Sequence, residues 1–161
     1  MHSFLRRQMV LLFLALLPAA STSAADLRIV RVLPGWRSAD SFHRLSEYFG
    51  VKKSDGANVL RSQPAVKSGY YWLIRVKNPH APIAGARFEL QVISPSAPTP
   101  KLFTFTANHP SGSTLFQIGL TGTDWPGARA RPDAWHLSVL AADGTTLLAR
   151  ESYLWEIPDK K

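Results

Sequence analysis

Tryptophan and arginine are the residues of this chain best suited to recognition, and they come together twice: as Trp36-Arg37, and as Trp125-Pro126 followed by Arg129 and Arg131. An indole buries a large area and a guanidinium offers a rigid fork of donors, so both types are enriched at binding hot spots. The second group lies in residues 119–133, a stretch of fifteen residues in which no hydrophobic period survives. A loop that long in a compact domain is often functional. Trp36, Arg37, Trp125, Arg129 and Arg131 therefore form a candidate contact patch, provided the fold brings both groups to one end. The simpler reading is that Trp125 plugs an open end of the fold while the arginines keep their charged heads in water.

Imidazole supplies the second possible chemistry. His80 and His109 sit in turn-like segments, Asn78-Pro79-His80-Ala81-Pro82 and His109-Pro110-Ser111-Gly112, and Asp143 sits in a third. Two imidazoles and a carboxylate suit zinc or copper. The spacing matches no metal motif and the chain has no cysteine, so the expectation is no metal and no cofactor. Catalytic signatures are missing as well: no Gly-x-Ser-x-Gly elbow, no His-Glu-x-x-His, no phosphate loop and no dinucleotide fingerprint. Asp124 and Asp133 share the long loop, yet carboxylates in such positions ordinarily accept bonds from their own backbone. The chain is expected not to be an enzyme, with a small hydrolase or metal-binding domain as an alternative.

The elements that would position these residues are strands. Trp135, Leu137, Val139 and Ala141 recur every second residue, and Asp143-Gly144 then separates them from Thr145 to Trp155. Asp-Gly between apolar runs is a strong hairpin signal. Tyr70 to Lys77, Arg87 to Ile93, Leu102 to Ala107 and Thr114 to Leu120 alternate in the same way. Leu27 to Leu33 reads as a first strand that Pro34-Gly35 should stop, and Pro95, Pro98 and Pro100 read as a connection. Between the first two main strands the period changes. Phe42, Leu45 and Phe49 mark one face of a short amphipathic helix from Ser38 to Gly50, expected to cover the last strand where Tyr153, Leu154 and Trp155 run together. The expected fold is all-β: a single antiparallel β-sandwich of about seven strands, immunoglobulin-like or fibronectin-type, with that one helix.

Compartment and partners follow from the N-terminus and the charge. Arg6 and Arg7, the apolar run Met9–Leu17, Pro18 and the small residues to Ala24 read as a secretory signal peptide over residues 1–24, ahead of one domain over 25–161. The apolar run is too short to span a bilayer of about 30 Å, so no transmembrane segment is expected after cleavage. An exported domain without cysteine fits a bacterial periplasm or cell exterior better than an oxidising eukaryotic pathway. Removal of the signal leaves 17 Lys and Arg against 11 Asp and Glu. Export and the scatter of the cations along the chain argue against nucleic acid and for a solvated positive surface that attracts anionic envelope components. The functional expectation is a non-enzymatic binding or scaffolding module for another envelope protein. Binding of a cell-surface glycan through exposed tryptophan and arginine is the alternative.

Overall fold

Alternation sorts the side chains of each strand onto two faces, and only a pair of packed sheets can bury one face of every strand. The computed structural model describes residues 27–42 and 58–156. Among these, eight strands form two four-stranded sheets: β1 (Arg28–Arg37), β2 (Val59–Arg61), β3 (Gly69–Asn78), β4 (Ile83–Ser94), β5 (Ala97–His109), β6 (Gly112–Thr121), β7 (Ala134–Leu140) and β8 (Thr146–Glu151). The first sheet has the order β1-β3-β6-β2 and the second β5-β4-β7-β8. All pairings are antiparallel except that of β2, which runs parallel to β6. The all-β, two-sheet reading of the sequence holds, with β2 as an addition at one edge.

The core lies between the sheets. Tyr70, Trp72, Ile74 and Val76 of β3 and Phe116, Ile118 and Leu120 of β6 face Phe88, Leu90 and Val92 of β4 and Trp135, Leu137 and Val139 of β7. The Phe88 and Phe116 rings meet with centroids 4.7 Å apart, a tilted contact between side chains of the two sheets. Without a disulfide, this apolar layer carries the fold.

Three local expectations change. Pro34-Gly35 does not end β1, which continues through Trp36 and Arg37 opposite Tyr70 and Gly69. Pro98 and Pro100 lie inside β5, joined to β4 by a turn at Pro95-Ser96. Both strands are sheet edges, where a missing N–H on the outward side breaks no ladder bond. The last strand also ends earlier than expected. Tyr153–Glu156 form a 3₁₀ turn in which Tyr153 is 90% exposed and Trp155 stacks on His136, with centroids 5.5 Å apart.

Most of the expected helix, residues 43–50, lies outside the described residues, as does the expected signal peptide of residues 1–24. At the start of that helix, Ser41 N–H donates to Ser38 O at 3.1 Å and Phe42 N–H to Ala39 O at 3.2 Å. Phe42 packs on Tyr71 with centroids 5.0 Å apart. Tyr71 points away from the core, so Phe42 covers the outside of the first sheet and not the final hairpin. Gly119 faces Tyr71 on β6, and a Cβ there would overlap the tyrosine ring. No helix among the described residues is long and apolar enough to cross a membrane.

Candidate functional site

The fold does bring the two tryptophan–arginine groups to one end, gathered round Tyr70. Trp36 pairs with Tyr70 across the strands, the Trp125 ring lies 4.7 Å from it, and the Arg131 guanidinium sits 5.9 Å over its face. Burial pushes the Tyr70 hydroxyl above its ordinary range, and the Arg131 charge draws it partly back. Trp125 is 5% exposed and also meets Trp72 edge-on at 6.2 Å, so it closes the end of the core and turns no indole face to solvent. Trp36 is half-buried against the same cluster. Arg129 is exposed, and Arg131 donates to the carbonyls of Ala128 and Ala130, both at 3.1 Å. Arg37 alternates with Trp36 and projects from the opposite face of β1, onto the outside of the first sheet.

At the other end the turns carrying His80, His109 and Asp143 place the three side chains in different surroundings. His109 is fully buried, with Nδ1 2.7 Å from Pro110 O and its ring against Phe116. His80 is exposed, and its backbone N–H donates to Asn78 Oδ1 at 3.0 Å. Asp143 accepts from Thr145 N–H at 2.8 Å, a bond that holds its carboxyl below the usual carboxylate range. Among the described residues no group of three or more His, Cys, Asp or Glu side chains could hold a metal ion.

The outer face of the first sheet is the surface that reading along the chain did not reveal. Arg28 stands opposite Lys77 and Arg31 opposite Arg75 across β1 and β3, and Leu33 stands opposite Leu73. Facing positions on antiparallel strands hold their Cβ atoms about 4.5–5.5 Å apart, and like charges there are destabilising. Arg37 and Arg61 extend the positive charge toward the end capped by Phe42. Arg61 donates through Nε to Tyr71 Oη at 2.9 Å and lies 5.0 Å over the Phe42 ring. Tyr71 in turn donates to Lys67 O at 2.6 Å, and burial raises its hydroxyl despite the opposing pull of Arg61 and Arg37. The four strands of this sheet carry six arginines and lysines and no aspartate or glutamate. That absence of acid from β1, β3 and β6 was the signal available in the sequence. The cations looked scattered because the partners lie more than forty residues apart.

The second sheet handles charge differently. Arg87 Nε meets Glu89 Oε1 at 3.0 Å, Lys101 Nζ meets Asp124 Oδ1 at 3.0 Å, and His136 Nε2 lies 3.9 Å from Glu151 Oε2. Partial burial pushes Asp124 up, but hydrogen bonds from Lys101, Ser62 and Gln63 and the Lys101 charge outweigh it and hold the carboxyl below its ordinary range. A broad hollow of about 530 Å³ opens beside His136, Arg150, Glu151, Ser152 and Tyr153 on the outside of β7 and β8. No family model matches this chain, and no curated protein matches it in sequence.

Proposed function

We propose that this chain is an exported, non-enzymatic binding module that holds an anionic component of the bacterial envelope on the outer face of its first sheet. The carrying observation is the register that sets Arg28 against Lys77 and Arg31 against Arg75 with no carboxylate on any strand of that sheet. Unrelieved like-charge pairs on neighbouring strands cost stability. An anion bound across them would remove that cost, and guanidinium groups give carboxylate, sulfate or phosphate a bidentate fit. Setting β2 aside, the orders β1-β3-β6 and β5-β4-β7-β8 fit a fibronectin-type sandwich, a scaffold that by itself implies no activity. The burial of Trp125 weighs against a glycan site built on stacked tryptophans, and favours charge as the means of recognition.

Retention on an immobilised soluble polyanion tests this reading. The wild-type chain is expected to bind at low salt and elute as ionic strength rises. The double variant Arg31→Glu/Arg75→Glu should elute far earlier than Arg87→Glu/Lys101→Glu, which changes the same number of charges on the other sheet. Equal retention of the two variants would show that net charge alone is at work and would sink the assignment to this face.

A further inference from the structure

We infer that the partner of this face is the surface of an anionic lipid bilayer, with aliphatic side chains entering the headgroup layer between cations that meet lipid phosphates. The inference rests on the reading of the face as an anion-binding surface and names what that surface meets. Leu33 and Leu115 are 46% and 37% exposed, and Val30, at the irregularity in β1, is 53% exposed. Leu33, Leu73 and Leu115 line, with Arg31 and Arg75, a hollow of about 150 Å³. Small-molecule sites usually enclose about 300–1,000 Å³, so this depression is too slight to enclose a soluble ligand and fits a face that lies against a surface. Aliphatic side chains set among arginine and lysine are the composition of segments that lie in a bilayer interface, where apolar contact and attraction to anionic lipid act together. Tyr71, which points to the outside of this sheet, is fully buried and offers no stacking face to a sugar ring. Its charge is complementary to phosphate: Arg28, Arg31, Arg75 and Lys77 are exposed, and no carboxylate stands on the strands between them.

The chain contains no cysteine, so Leu33→Cys can carry a single environment-sensitive fluorophore at the centre of the face. Vesicles containing phosphatidylglycerol are expected to shift its emission to the blue, with the shift reversed by high salt. Pure phosphatidylcholine vesicles should leave it unchanged. Arg31→Ala and Arg75→Ala should each weaken vesicle binding about fivefold, the loss of one cation at an anionic surface. All variants keep the same N-terminus, so the apolar run at residues 9–17 contributes equally throughout. A labelled chain that binds the soluble polyanion but shows no shift on anionic vesicles would overturn bilayer docking and leave the anion reading standing. Failure to bind either would overturn both. Blue-shifted emission before vesicles are added would mean that another part of the chain, or a second copy, already covers the face, and would also end the proposal. Vesicle binding that survives both arginine substitutions would do the same.

Discussion

The two sheets of this sandwich share one core and differ in how they treat water on the outside. On the second sheet, Arg87 is answered by Glu89, Lys101 by Asp124 and His136 by Glu151. On the first, Arg28 faces Lys77 and Arg31 faces Arg75 around exposed leucines, and no strand carries an acid. A sheet that only needed to be soluble would do better with the arrangement of the second sheet, because neighbouring opposite charges stabilise and facing like charges do not. That difference is what supports the proposal that the outer face of the first sheet meets a partner. Both sheets build the core, while the cations that face one another stand on the first sheet alone.

The core sets the largest effect. Trp125→Ala empties the contact with Tyr70 and Trp72, and is expected to cost about 3–5 kcal/mol in chemical denaturation, as large-to-small core substitutions do. The folded fraction should keep its retention on a polyanion, because Trp125 turns no face to solvent. Loss of retention in a fully folded variant would join the two regions that the comparison keeps apart.

Charge reversal should move the two sheets in opposite directions by smaller amounts. Arg75→Glu places a carboxylate opposite Arg31 and should stabilise the fold by about 0.2–1 kcal/mol, the range of cross-strand pairs, while weakening anion retention. Glu89→Lys breaks the Arg87 pair on a partly exposed surface and should destabilise by about 0–1 kcal/mol, with retention little changed. A destabilising Arg75→Glu would show that the first face gains from its cations in some way other than binding.

The smallest effect is a pH dependence seated at Asp124. Its carboxyl titrates below the ordinary range in the folded chain, so its contribution is fully present above the unfolded value and is lost as pH falls through the lowered folded value. Thermal denaturation from neutral pH into the acid range should show that loss in the wild type. Asp124→Asn should remove part of the slope, and an identical slope in the variant would mean that the Lys101–Asp124 pair does not couple to folding.

Much of the architecture was legible in the residues themselves. Period-two alternation in Tyr70–Lys77, Arg87–Ile93 and Trp135–Leu140 assigns each side chain to a face before any partner strand is known. Where the reading failed, a local rule met a tertiary context. Prolines at 34, 98 and 100 stop a central strand but are tolerated at an edge, and edge position is a property of the sheet. The same division governs the candidate sites. The sequence could point to Trp125 as unusual, but only its neighbours Tyr70 and Trp72 decide that it closes the core.

By itself, then, the sequence determined an all-β chain of alternating strands, rich in cations and free of cysteine. The tertiary structure alone decided which of those cations stand together. Strand faces follow from the backbone's twofold repeat within one segment, whereas pairing partners are chosen by the burial of apolar faces across the whole chain. Register then carries Arg28 to Lys77 and Arg31 to Arg75 as a consequence of burying Ile29 and Val32 on the inner side of β1.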